Sequence, residues 1–289
     1  MKYWTMLWLM LFSGLEASYA TQPSSATSSS PKVATFLDFP PYITDAEPGE
    51  GLLSVVVKES FQLAGLEPDY MLIPWRRSYR AVQIGEIDAS YSWAISKERE
   101  REFHLSRPIF SISNRLLTTY RDVTKWQQLA EPRPDGAKPI LCVPVGWKVA
   151  EEITALIEQE IIQRISPGHP RFCMELIRAA RTNVIYMPHM TANYYLSRLQ
   201  SSTPSANAST WPALYSIEVP SGLANTQHAL FTRSAEGLLL KQKFDNGFEQ
   251  LVASGRYREI LETFLQAYPE QERAVIYREQ INAGILPPE

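Results

Sequence analysis

The stretch Gly85-Glu86-Ile87-Asp88-Ala89-Ser90-Tyr91-Ser92-Trp93-Ala94-Ile95-Ser96-Lys97-Glu98-Arg99 decides how this chain is read. Gly85 closes a short helix expected over residues 76–84, because glycine ends a helix in the left-handed conformation at little cost. Residues 87–90 then form a strand, and residues 97–102 are a charged run. Toward the N-terminus the same alternation repeats. Residues 32–37 are β-rich and stop at Pro40-Pro41, which lack the N–H a ladder needs. Residues 51–64 read as a helix with Leu52, Val56, Phe61 and Leu63 as apolar positions, ended by Gly65. Residues 70–73 are a second strand, closed by Pro74. Strand–helix–strand–helix–strand is the order of an α/β lobe with a mainly parallel sheet.

The pattern recurs downstream. Strands are expected at 140–145, 161–165, 184–187, 215–219 and 229–232. Helices are expected from Gly146 through 158, and at 172–181, 191–199, 236–254 and 257–267. Residues 201–210 are polar and read as a surface loop. The tail to Glu289 is charged with an apolar stretch at 281–286, and the pattern does not place it. At 289 residues the chain is too long for one small core and right for two lobes of roughly 100–120 residues. Ligands of open α/β sheets bind beyond the carboxyl ends of strands, so two facing lobes make a cleft.

Charge excludes one class of partner. With 28 Lys+Arg against 31 Asp+Glu the net charge is −3, which offers no basic footprint for nucleic acid. The N-terminus reads as a secretory signal: Lys2, a short apolar run at 7–15, then Ser18-Tyr19-Ala20 as the cleavage site. The run falls short of the ~20 residues a spanning helix needs. No cysteine follows it, which argues against a lipoprotein. Residues 1–20 are therefore expected to be removed, with 21–31 a flexible Ser/Thr/Pro leader and the mature protein soluble and periplasmic. Cys142 and Cys173 are either a disulfide, which an oxidising compartment permits, or two small buried hydrophobes.

Several pieces together carry a resemblance. Asp38-Phe39-Pro40-Pro41-Tyr42 looks like an aromatic-proline signature after the first strand. Gly85-Glu86-Ile87-Asp88-Ala89 is a G-x-x-D-A turn, and Ser92 to Arg99 is similar to a T-x-x-R turn. Phe103-His104-Leu105-Ser106-Arg107-Pro108-Ile109 resembles an F-S-x-P segment, and Gly255-Arg256-Tyr257 fits a last helical pair. In this order the pieces resemble the family 3 extracellular solute-binding proteins, the amino-acid-type periplasmic receptors, over 32–267. Pro74-Trp75-Arg76-Arg77 suggests a Pro-Trp-x-Arg branch with less defined ligands. The resemblance implies a type II periplasmic binding protein fold. Its first lobe would be 32–111 plus 230–289, its second 112–229, with a two-segment hinge near 111–113 and 229–231. It further implies a monomer that hands its small-molecule ligand to an inner-membrane ABC permease or a sensor.

Carried onto this chain, the resemblance makes Arg99 the anchor for a ligand carboxylate, because a planar guanidinium matches two carboxylate oxygens. Ser92 lies on the approach to that turn as a hydroxyl contact. Phe39, Tyr42, Trp75 and Trp93 follow strand ends and form an aromatic wall or ordinary core. Arg77 is a second anion contact or a solvated charge. From the second lobe, Gly146, Trp147 and Lys148 stand at an expected helix start, whose free N–H groups suit an anion. The family often has Thr or Ser after this glycine, so Trp147 and Lys148 suggest a differently shaped ligand. Where the amino-acid receptors place a carboxylate for the ligand's amine, this chain has Pro188 and His189. That points away from a standard α-amino acid, since an unpaired buried ammonium is costly. His189 is a neutral hydrogen-bond partner or a loop histidine.

The four histidines lack ligand spacing, so no metal is expected, and no phosphate-binding or dinucleotide glycine motif implies a cofactor. The expected function is capture without catalysis. The rival is a periplasmic dehydratase of the cyclohexadienyl type on the same fold, which needs a cleft acid.

Overall fold

The computed structural model describes residues 30–36, 39–44, 51–202, 211–219, 225–266 and 268–288. The expected signal peptide, residues 21–29 of the leader and residues 203–210 of the polar loop lie outside them.

The β-rich run at the start of the ordered chain forms β1 (Lys32–Thr35), which pairs in parallel with β2 (Asp69–Leu72) and β3 (Ala89–Ala94). Two helices fill the connections. In α1 (Leu52–Leu63) the residues Leu52, Val56 and Phe61 recur at helical spacing and face the core. In α2 (Trp75–Gln83) Ser78, Ala81 and Val82 are the residues turned to the core. A third helix, α3 (Lys97–Glu102), starts at Ser96, whose hydroxyl accepts the Arg99 N–H at 3.3 Å. Then β4 (His104–Leu105) and β5 (Phe110–Ile112) complete the outward leg.

A single residue, Ser113, separates β5 from β6 (Asn114–Thr118), which belongs to a second sheet. There β7 (Ile140–Cys142), β8 (Gln163–Ile165), β9 (Val184–Pro188) and β10 (Tyr215–Glu218) join it in the order β10-β6-β9-β7-β8. The helices α4 (Glu151–Glu158), α5 (Pro170–Arg178) and α6 (His189–Ser202) connect them. The chain returns through β11 (Asn225–Phe231), which pairs antiparallel with β3, β4 and β5 of the first sheet. The helices α7 (Ala235–Ala253), α8 (Arg256–Leu265) and α9 (Glu270–Asn282) finish the chain.

Both sheets are mixed. In the second, β7 runs parallel to β8 and β9 while β6 runs antiparallel to β9 and β10. The strand β6 is absent from the sequence reading because Asn114 and Arg115 break its apolar pattern at the start. Each lobe has its own core. The first gathers α1, α7 and α8 on one face of its sheet around Phe61, Phe244 and Tyr257. The second divides into clusters around Leu116 and Met174. The contact between α1 and α7 requires glycine, since a Cβ on Gly247 would lie 2.0 Å from the Ser60 carbonyl oxygen. Among the described residues no helix is long and apolar enough to cross a membrane.

Cys142, at the end of β7, is bonded to Cys173 of α5, a separation of 31 residues, and both are fully buried. The bond ties a helix to the sheet it covers. Closing a loop of that length removes unfolded-state entropy worth about 3–4 kcal/mol. The Cys142→Ala/Cys173→Ala pair is therefore expected to lose about that much in urea unfolding, with the variant insensitive to reductant.

Candidate functional site

The strand ends position the side chains of interest. Phe39 follows β1 and Trp147 follows β7, and the two rings meet edge-to-face across the lobes, with centroids 5.6 Å apart and planes at 89°. Phe39 also lies against Tyr42, at 4.9 Å. Tyr42 itself is buried in the first-lobe core beside Phe110, so the ring left to face the cleft is Phe39. Burial pushes the Tyr42 hydroxyl well above the ordinary tyrosine range.

The end of β3 depends on one irregularity. Ser90 faces Leu230 and Trp93 faces His228, so β3 carries one residue more than β11 over this stretch. Ser92 absorbs it in the left-handed region, at φ 67°. Such a bulge re-aims the side chains that follow it. Tyr91 keeps to the α1 face, where its hydroxyl bonds Thr35 Oγ1 at 2.7 Å and Ser54 Oγ at 2.9 Å. Trp93 turns to the opposite face, and its indole N–H donates to Ser90 Oγ at 3.0 Å. In a regular, unbulged strand, residues 91 and 93 would share one face.

Around Trp93 the aromatics stack, and Trp75 links that stack to Phe36 of the α1-side core. Trp75 opens α2 and lies 4.1 Å from both Phe36 and Trp93, and Tyr79 packs on Trp93 at 5.3 Å. The Tyr79 hydroxyl donates to Glu102 at 2.6 Å, pinning α2 to α3. Arg99 covers the outer end, with its guanidinium carbon 5.0 Å from the Trp93 ring centroid. One Arg99 N–H donates to the Ala94 carbonyl at the last residue of β3. Burial against the rings pulls the Arg99 pKa below the usual arginine value, with Tyr79 and Glu98 opposing it. It remains a cation at any physiological pH. Among the described residues no carboxylate forms an ion pair with it, so N–H donors remain for another partner.

Other residues singled out from the sequence fall as follows. Trp93 is a fully buried strand residue inside the stack, rather than one beyond a strand end. Ser92 is buried, with its hydroxyl 3.4 Å from Gln227 Oε1. Arg77 is exposed on α2. Gly146 does not open a helix: it takes φ 84° in a turn, and α4 begins at Glu151. Glu151 and Glu152 fill the first turn of that helix, so its dipole already has negative partners. The expected anion site at a helix start is therefore not formed, and Lys148 is exposed beside the turn. Trp147 is half-buried and is the second-lobe residue that touches the first lobe's aromatic.

His189 is the first residue of α6, not a loop residue. Burial holds its pKa below the ordinary 6.5, against the pull of Glu272. With Tyr42, Ser113, Arg115, Glu272 and Glu279 it borders a cavity of about 260 Å³ beside the crossing from β5 to β6. The two glutamates belong to α9, the helix the sequence pattern left unplaced. Phe36 and Tyr79 are also new to the site; their aromatic character was visible, their packing against Trp75 and Trp93 was not.

The architecture is that of a two-lobed binding protein with a hinge between mixed sheets. The chain belongs to the bacterial extracellular solute-binding proteins, family 3, whose model matches residues 32–267. Solved structures agree on the fold, a type II periplasmic binding protein. An ancestral arginine-binding protein bound to arginine superposes with a TM-score of 0.65 at 15% identity, covering 81% of this chain and 97% of that one. The arginine-, lysine-, histidine-binding protein ArtJ from Geobacillus stearothermophilus gives 0.60 at 17% identity, covering 85% and 99%. An ancestral amino acid-binding protein described as a precursor of cyclohexadienyl dehydratase gives 0.60 at 16%, covering 81% and 94%. At these identities the likeness establishes the fold alone. None of the curated proteins matches the sequence.

The left-handed backbone at Ser92 admits glycine freely and a β-branched residue poorly. Ser92→Gly is expected to melt close to the parent, and Ser92→Val to lose about 1–3 kcal/mol in chemical unfolding. His228, opposite Trp93, is buried; its Nδ1–H donates to the Ser106 carbonyl at 2.8 Å and Nε2 accepts from Thr226 Oγ1 at 2.9 Å. Burial lowers its pKa from 6.5 despite the Ser106 bond and the nearby carboxylates of Asp245 and Glu100. The unfolded chain therefore takes up a proton that the native state refuses, and stability present above the unfolded value is lost as pH falls through it. Unfolding curves from about pH 7 to about pH 5 are expected to show His228→Gln losing less stability than the parent.

Proposed function

We propose that this protein is exported through its N-terminal signal and captures a small carboxylate-bearing ligand between its lobes for an ABC-type importer or a sensor. The observation that carries the reading is Arg99: a guanidinium stacked on Trp93 at the end of β3, with no carboxylate pairing it among the described residues. Family membership supports a ligand in the cleft. The Phe39–Trp147 contact supports closure, because it joins residues of the two lobes that follow strand ends. The neighbours that bind arginine, lysine or histidine support a ligand of amino-acid size. Pro188 and His189 offer no carboxylate for an amine, which favours a carboxylate without an α-amino group or with a modified one. The buried disulfide supports an oxidising compartment.

The competing reading is a dehydratase-like enzyme, prompted by the neighbour described as a dehydratase precursor. It needs an acid in the cleft, and the residues that end β9 supply none.

A thermal-shift screen of carboxylates, amino acids and polyamines on the mature protein separates these. Bound ligand raises the melting temperature by mass action, and a carboxylate is expected to do so. Arg99→Ala is expected to weaken the hit by about 30- to 1000-fold in calorimetry, with Arg99→Lys restoring only part, because a lysine cannot present two parallel N–H bonds. Undiminished affinity in Arg99→Ala defeats the anchor. Turnover of prephenate or arogenate by the parent protein would establish the enzyme instead.

A further inference from the structure

The match to the family ends at residue 267, and α9 follows it. This helix is rooted in the first lobe. Gln280 is fully buried and treats Ser111 of β5 as a neighbouring strand would. Its Oε1 accepts the Ser111 N–H at 2.8 Å and its Nε2 donates to the Ser111 carbonyl at 3.0 Å. Ile276, Ile285 and Leu286 add apolar anchorage in the first-lobe core.

The same helix reaches the second lobe along its acidic edge. Glu279 accepts from the hydroxyl of Ser113, the residue at which the chain crosses between the sheets. One turn-pair earlier, Glu272 Oε2 lies 3.4 Å from Asn193 Nδ2 and 3.9 Å from His189 Nδ1, both on α6. Met190 of α6 is inserted beside them into the first-lobe core. Between these contacts lies the cavity of about 260 Å³, with Arg115 of β6 on its wall. The lobes thus touch here at a few polar points and one apolar knob, not through continuous packing.

We propose that α9 is a hinge strap: fixed to the first lobe by Gln280, it holds the second lobe through Glu272 and Glu279 in the conformer where Phe39 meets Trp147. Rotation about the crossing strands changes the separation of α6 from α9, so the strap's contacts bias the open–closed equilibrium. The bias acts on every ligand the cleft accepts, because the closed population multiplies the apparent affinity. Rotation of the lobes is enough for this bias, whatever the cleft binds.

The test uses the full mature chain without ligand. Spin labels on Lys58→Cys in α1 and Glu158→Cys in α4, both exposed, report the lobe separation by pulsed dipolar spectroscopy. Glu272→Gln/Glu279→Gln is expected to shift the open-to-closed ratio about two- to fivefold toward open, the yield of a few weak polar contacts. Glu272→Lys, which sets a cation beside His189 and Arg115, is expected to shift it further. Circular dichroism melts within a few degrees of the parent show that the fold is kept. A distance distribution unchanged in both variants, or moved toward closed, overturns the strap.

Discussion

The antiparallel ladder between β11 and β3 is the constraint on which the rest of the molecule depends. The chain leaves the first sheet after β5 and returns to it as β11, and β11 is paired with β3, β4 and β5 together. Thr226 sits opposite Ser111, so the outgoing and returning segments are hydrogen-bonded neighbours. Two independent linkers would let the lobes tumble. Two paired ones restrict them to bending and twisting about a shared axis, which is the motion a closing cleft requires.

The same ladder sets the chemistry of the cleft wall. The extra residue in β3 opposite Ala229 sends Tyr91 to one face and Trp93 to the other. The Tyr91 hydroxyl is held by Thr35 and Ser54 under α1. Trp93 completes the stack of Phe36, Trp75 and Tyr79, and Arg99 rests on it. An arginine on a rigid aromatic surface loses little side-chain entropy when it takes a planar partner, and its partial desolvation strengthens that bond. A bulge with a non-glycine residue in the left-handed region is a local cost, and it is placed where it orients a functional side chain.

The second lobe contributes less than its sequence promised. Gly146 has the positive φ expected of a turn glycine, but the helix it was expected to open starts five residues later behind acidic residues. From the strand ends it is Trp147 that reaches the first lobe, at Phe39. The carboxylates that do stand near His189 come from α9, at the far end of the chain. They lie beside the hinge, so they bear on how the lobes move more than on what the cleft holds.

By itself the sequence determined the two α/β units, the strand start at Lys32, the second strand to within one residue of its start at Asp69, and the helices that bury Leu52 and Phe244. Each follows from local causes: apolar periodicity, and proline and glycine stops. The tertiary structure decided what periodicity cannot express. The bulge at Ser92 depends on the register against β11, a partner some 135 residues away. The mixed sheet depends on β6, whose polar first residues conceal it. The role of α9 depends on Gln280 finding the main chain of Ser111, at a separation of 169 residues. Local patterns report which face of an element is apolar; only the packed chain decides which distant element that face, or a single buried amide, will meet.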